Sequence, residues 1–238
     1  MFINLSITLM YNKIQLKKEN VLILSPHPDD EVIGCGGVLL ELARLNANVY
    51  TLYLNRAEES RFLRDLDLNK KIRTRESEIR KVACLLKWIK FDFVYDKGAK
   101  PNENVIMDRI EKFIELSNPS KIFIPWYGDN HVEHKIFNSY LAKSRLTMNF
   151  LKNSQICAYE VWSPITAPTS FFEVTSLIDK KAELISLYSS VTQEVNYIDT
   201  TLGLNRYRSL YSNSGKGYFE VFLNMPLKDY IYLLEKSL

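Results

Sequence analysis

The sequence predicts an α/β protein, a mostly parallel sheet with helices on both faces. Three observations carry this expectation. Short apolar runs alternate with stretches of helical periodicity along the chain, the pattern of successive βα units. The first of these runs is continuously apolar, as a strand buried on both faces must be. No low-complexity tract, long linker or internal repeat divides the 238 residues, a length that suits one large α/β domain.

The elements follow in order. Residues 21–25 (VLILS) form the first predicted strand, and residues 31–46 a helix with Val32, Leu39, Leu40 and Leu42 on its apolar face. Residues 48–54 (NVYTLYL), rich in β-branched and aromatic side chains, form the second strand. A long helical stretch over about residues 61–87 places Ile72, Ile79, Val82, Ala83 and Leu86 at helical spacing. Residues 91–95 (FDFVY) are the third strand. Residues 105–117 are an amphipathic helix that Asn118-Pro119 stops. Residues 121–125 (KIFIP) are the fourth strand, followed by a helix starting near His131 with Ile136, Phe137, Tyr140 and Leu141 on one face. Residues 155–162 (QICAYEVW) are the fifth strand. A helix over 177–189, a strand over 218–223 and a closing helix over 227–235 complete the chain.

Composition excludes several classes. Apolar residues at 46% and charged residues at 25% are those of a folded globular chain. A net charge of +3, from 31 Lys+Arg against 28 Asp+Glu, is too small to mark a nucleic-acid binder. No run nears the roughly 20 apolar residues of a membrane-spanning helix, so no stable membrane insertion is expected. Residues 1–11 lack the basic region and cleavage site of a signal peptide. Cys35, Cys84 and Cys157, odd in number and widely spaced, read as reduced, mostly buried thiols of a cytoplasmic protein.

In sheets of this kind ligands bind beyond the carboxyl ends of the strands. The first strand runs into Ser25-Pro26-His27-Pro28-Asp29-Asp30-Glu31, where the prolines hold His27 in a stiff, extended segment. Asp29 or Asp30 could serve as a helix N-cap, which would account for the acids but not for the histidine before them. The fourth strand runs into Trp126-Tyr127-Gly128-Asp129-Asn130-His131-Val132-Glu133-His134, and on a helix His131 and His134 share a face. All three histidines of the chain lie after these two strands. Two imidazoles and a carboxylate with open positions suit a catalytic zinc, and the same set can hold iron(II).

His-Pro-Asp-Asp-Glu after the first strand, followed by Asp129-x-His131-x-Glu133-His134, resembles the PIG-L/LmbE-like de-N-acetylases, and the resemblance extends over most of the chain. Arg75-Glu76-Ser77-Glu78 resembles the Arg-x-x-Glu of that family's second helix. Tyr159-Glu160-Val161-Trp162, Leu204-Asn205-Arg206-Tyr207-Arg208 and Tyr218-Phe219-Glu220 resemble stretches of its members from surface-glycan and antibiotic-sugar pathways. The resemblance implies a three-layer, Rossmann-like single domain over residues 1–238. Residues 1–19 would be an N-terminal extension and residues 155–238 the part that sets specificity. It implies His27, Asp30 and His134 as ligands of a Zn2+ (or Fe2+) ion, and Asp29 as the base toward metal-bound water. His131 would face the developing oxyanion, with Glu133 orienting it. Substrate contacts are expected of Arg75, Tyr127, Asp129 and Arg206. The implied reaction releases acetate and a free amine from a small-molecule N-acetylated amino-sugar conjugate, with a nucleotide or lipid as candidate carrier, in a candidate homo-oligomer. Hydrolysis of a non-sugar amide or ester at the same site, and a non-catalytic sugar- or nucleotide-binding module, are the alternatives.

The sequence departs from the family pattern where Val132-Glu133 stands in place of Pro-Asp. Glu133 is one methylene longer than Asp, which bears on its hold on His131. The loop after the second strand, residues 55–60, lacks the glycines common there. Gly34-x-Gly36-Gly37 is spaced wrongly for a dinucleotide fingerprint and reads as close helix–strand packing. Residues 61–81 hold eight Lys/Arg against four acids, a solvated helix face or an attractor of anionic substrate. Tyr159, Trp162, Arg206, Tyr207 and Arg208 are candidates for a sugar pocket, or for core and rim packing.

Overall fold

A computed structural model describes residues 12–57, 63–95, 102–143, 153–193, 195–211 and 215–237. Its strands are β1 (Asn12–Lys13), β2 (Asn20–Ser25), β3 (Asn48–Tyr53), β4 (Lys90–Phe93), β5 (Lys121–Pro125), β6 (Gln155–Tyr159), β7 (Ser170–Glu173) and β8 (Phe219–Pro226). Its helices are α1 (Asp30–Arg44), α2 (Leu68–Leu85), α3 (Glu103–Ser117), α4 (Val132–Lys143), α5 (Ile178–Ser186), α6 (Ser189–Thr192), α7 (Tyr197–Tyr207) and α8 (Leu227–Ser237). The strands form one sheet in the order β1-β7-β8-β6-β5-β2-β3-β4. From β4 to β6 the neighbours run parallel. β8 lies antiparallel between β6 and β7, and β1 joins β7 in parallel.

The predicted mostly parallel sheet with helices around it is therefore present. Its apolar runs are continuous because both faces are covered. Val21 and Ile23 pack with Val32, Val38 and Leu42 of α1, whereas Leu22 and Leu24 pack with residues of α3, α4 and α8 such as Ile110, Phe137 and Tyr230. Successive strand residues point to opposite faces, so each layer receives every second side chain.

Boundaries differ where local chemistry intervenes. The long helical stretch begins only at Leu68, because the Asp67 carboxylate accepts the Lys70 N–H at 2.9 Å and caps it. Residues 61–62 lie outside the described residues, as do 1–11 of the N-terminal extension and 58–60 of the loop after β3. Asn118 closes α3 in the left-handed conformation (φ 38°). β6 ends at Tyr159, before Trp162, where the Glu160 carboxylate instead accepts from the Arg208 guanidinium. Strands β1 and β7 and helices α6 and α7 are additional to those predicted.

The glycines of α1 are packing residues. A Cβ on Gly34 would fall 2.1 Å from the Tyr159 ring, and one on Gly37 would fall 2.2 Å from Val174 Cγ1. Helical geometry breaks at Cys35 (φ −139°, ψ 28°). Just beyond it, the Gly37 and Val38 N–H groups donate to the Glu220 carboxylate at 2.7 and 3.0 Å. Lys181 pairs with the same carboxylate at 2.7 Å, both side chains fully buried. Cys35 and Cys157 are buried and Cys84 exposed, and all three are free thiols. Among the described residues, no helix is long and apolar enough to cross a membrane.

The site is set by one topological feature. β2 and β5 are neighbours, yet the chain leaves β2 through α1 toward β3 on one side and leaves β5 through α4 toward β6 on the other. Such a reversal opens a crevice at the carboxyl ends of the two strands. The loops that carry the histidines lie there.

Candidate functional site

The three imidazoles converge. Ring centroids are 4.8 Å apart for His27–His131, 5.7 Å for His27–His134 and 4.8 Å for His131–His134. One nitrogen from each lies within 4.8 Å of the others. Asp30 joins them: its Oδ2 accepts the His27 N–H at 3.0 Å and lies 3.2 Å from His27 Nδ1 and 3.1 Å from His134 Nε2.

The charges are strongly coupled. Burial alone would lower His27 and His134. The carboxylates of Asp30 and Glu133 instead hold His27 up at about 10, and those of Asp30 and Asp129 hold His134 up at about 9. Burial would raise Asp30, but the two imidazoles beside it hold it well below the usual carboxylate range. His131 is lowered by burial and by the other two histidines, so it stays neutral.

Asp29 occupies the N-cap position of α1 but makes no side-chain capping bond, which removes the capping explanation for it. Its backbone sits at φ 122°, ψ −32°, a conformation that costs a non-glycine residue about 1–3 kcal/mol. Burial pushes its carboxyl up to about 8, against the pull of Arg75 and with the push of Asp30.

His134 provides the test for a metal. Both ring nitrogens are buried and neither has a partner of hydrogen-bond geometry, although Asp30 Oδ2 and Asp129 Oδ1 lie 3.1 and 3.2 Å away. Buried polar atoms are ordinarily satisfied. The imidazoles of His27, His131 and His134 beside the Asp30 carboxylate, with the His134 nitrogens left unsatisfied, are a donor set for a divalent ion. The residues present fit such an ion.

Other expected contacts are placed differently. Arg75 is fully buried. Its guanidinium donates to the Pro28 carbonyl, to Glu78 Oε2 at 3.1 Å and to Ser190 Oγ at 3.0 Å, and lies 3.9 Å from Asp29 Oδ2, so its partners are buried groups of the protein itself. Asp129 is likewise buried, and it braces loops: it accepts the N–H of His131 at 2.9 Å and those of Trp162 and Ser163 at 2.8 and 3.1 Å. The Glu133 carboxylate reaches His27 Nε2 rather than the His131 ring, and the longer side chain spans that gap. Tyr127 packs between Trp126 and Tyr230. Arg206 is exposed and donates to the Gly217 carbonyl at 2.9 Å. Arg73, Arg80 and Lys81 of the basic stretch line an open groove with Glu76 and Cys84, and none of the histidines lines it.

Four residues were not singled out for the roles they hold. Asn55 Nδ2, at 2.9 Å, and the Tyr95 hydroxyl, at 3.3 Å, donate to Glu133 Oε1. Both stand just past a strand end, which was the available signal. Trp162 stacks on His131 (6.0 Å, 25°) and Tyr197 meets the outer edge of that indole (6.3 Å, 85°). Trp162 and Tyr197 also line a cavity of about 260 Å3, together with Ile33, Val161 and Leu204.

Comparison with known proteins agrees with this fold. Solved structures share the fold, among them the following three. A conserved protein from Thermus thermophilus superposes with a TM-score of 0.69 at 22% identity, covering 88% of this chain and 96% of that one. The N,N'-diacetylchitobiose deacetylase of Pyrococcus horikoshii gives 0.70 at 21% identity, covering 87% and 83%. The 4-carboxy-2-hydroxymuconate hydratase of Pseudomonas putida KT2440 gives 0.68 at 17% identity, covering 88% and 96%. A deacetylase and a hydratase on one fold mean that architecture alone does not fix the reaction. No curated protein sequence matches the chain. The family described as PIG-L, GlcNAc-PI de-N-acetylase, matches residues 22–144, a span that contains His27, Asp29, Asp30, His131 and His134. That match covers more than half of the 238 residues, and the chain belongs to the PIG-L de-N-acetylase family.

Proposed function

We propose that the protein is a metal-dependent hydrolase that removes the N-acetyl group from an N-acetylated amino-sugar conjugate, releasing acetate and a free amine. The observation that carries this reading is the convergence of three histidines, Asp29 and Asp30 at the β2/β5 reversal, with both ring nitrogens of His134 left unsatisfied. Family membership points to the same chemistry.

His27, Asp30 and His134 would hold the ion. When bound, a zinc or iron(II) ion supplies Lewis acidity toward a carbonyl oxygen and lowers the pKa of water to about 7. Asp29 takes the proton of the attacking water and passes it to the leaving amine. A carboxyl pushed up by burial is suited to both transfers near neutral pH, and a nearby cation would favour its ionised form. His131 Nδ1 accepts the Glu133 backbone N–H at 3.3 Å, so its neutral ring carries the proton on Nε2. That N–H is a donor for the oxygen that becomes negative in the tetrahedral intermediate. Loss of one such donor typically costs about 2.7–4 kcal/mol. Stacking on Trp162 fixes the ring plane.

Acetate release from a panel of N-acetyl amino sugars and simple acetamides tests the reading. The sugars are expected to turn over and the simple amides to lag. Asp29→Asn is expected to abolish release while metal content is retained. Wild-type release by Asp29→Asn would remove Asp29 as the base, and preference for the simple amides would remove the sugar.

A further inference from the structure

Asp29 is held in an unfavourable backbone conformation, and the residues that hold it there are buried. Two of them meet the same peptide group. Arg75 Nη2 donates to the Pro28 carbonyl, while Glu31 Oε2 accepts the Asp29 N–H at 3.0 Å. These are the two ends of the Pro28–Asp29 peptide.

Each clamp is itself anchored. Arg75 is fixed by Glu78, by Ser190 and by the Arg56 carbonyl at 3.2 Å. Glu78 in turn accepts the Ser190 N–H at 2.7 Å, which ties α2 to α6. Glu31 Oε1 accepts from the hydroxyls of Tyr188 at 2.5 Å and Tyr53 at 3.0 Å. The Arg75 guanidinium lies 5.5 Å over the Tyr188 ring, so Tyr188 touches both clamps. Arg75, Glu31, Tyr53 and Tyr188 are all fully buried.

We infer that Arg75 and Glu31 are positioning residues that grip opposite ends of the Pro28–Asp29 peptide and so set where the Asp29 carboxylate lies. A strained backbone persists only where its surroundings over-determine it, and here donor and acceptor of one peptide are both fixed. The inference rests on the proposed role of Asp29 as base. Arg75 would act on the reaction through Asp29 without touching the substrate, contrary to the contact expected of it from sequence.

Arg75→Lys keeps the charge beside Glu78 but loses the fork that also reaches Pro28. Its kcat is expected to fall about tenfold to a hundredfold, the range in which small misplacements act, with KM within about twofold. Glu31→Gln keeps an acceptor oxygen and should retain more activity than Glu31→Ala. Amide hydrogen exchange supplies a readout independent of turnover. The Asp29 amide should exchange faster in Arg75→Lys and Glu31→Ala, while the amides of Val21–Leu24 in β2 keep wild-type protection. Wild-type kcat together with unchanged exchange at Asp29 would overturn the inference. So would a loss of kcat accompanied by equal loss of protection throughout β2, which is general unfolding. Absence of acetate release by the wild-type chain would refute the proposed activity alone, and exchange at Asp29 would still decide whether the clamp exists.

Discussion

Asp129 Oδ2 accepts the backbone N–H groups of Trp162 and Ser163, while Oδ1 accepts that of His131 and faces His134 Nδ1. One carboxylate thus joins the loop after β5 to the chain leaving β6 and backs a proposed metal ligand. Loss of such a partner typically weakens metal binding about 10- to 100-fold. Asp129→Asn, which turns an acceptor into a donor against these N–H groups, is expected to lie in that range in competition against a chromophoric chelator. Unchanged affinity would mean that Asp129 does not support the ligand. At this scale the convergence of His27, Asp29, Asp30, His131 and His134 was legible in the sequence, because residue type and strand-end position sufficed for it. The orientation of Arg75, Glu133 and Asp129 was not. The identity of Arg75 and Asp129 suits either a substrate contact or a brace, and that of Glu133 suits a partner for either imidazole, so only packing decides which way each side chain turns.

Helix α1 shows what an element owes to its neighbours. Its glycines and its break at Cys35 let the sheet and the Glu220 carboxylate approach the backbone. Gly37→Ala gains about 1 kcal/mol of helix propensity, but its Cβ would fall 2.2 Å from the buried Val174. Overpacking of this kind costs about 1–3 kcal/mol, and a contact so short places the cost at the upper end, for a net loss of stability. Gly203 in α7 has nothing within 4 Å of an added Cβ. Gly203→Ala is therefore expected to stabilise by about 0.4–1 kcal/mol. Urea midpoints of the two variants check the opposite signs, and destabilisation by Gly203→Ala would contradict this account. The β2 run was legible because burial on both faces leaves a continuous apolar signature, and β3 through its β-branched and aromatic side chains. β1 and β7 were not, because they are two and four residues long and exist through pairing with distant strands.

At the scale of the molecule, alternation of strands and helices was enough to expect a mostly parallel sheet and a site at its carboxyl edge. The insertion of β8 antiparallel between β6 and β7 was not legible, since strand order depends on contacts far apart in sequence. The reversal between β2 and β5 brings residues 27–31 and 126–134 together, and the proposed hydrolysis depends on one divalent ion held in this crevice. Titrating zinc or iron(II) into chelator-treated protein, while following acetate release from an N-acetyl amino-sugar conjugate, tests it most directly. Release should be absent without metal, rise with each addition and level off near one equivalent per chain, with His134→Ala failing to respond. Full release by the metal-free protein, or stoichiometric metal binding that leaves His134→Ala indistinguishable from wild type, would overturn that dependence.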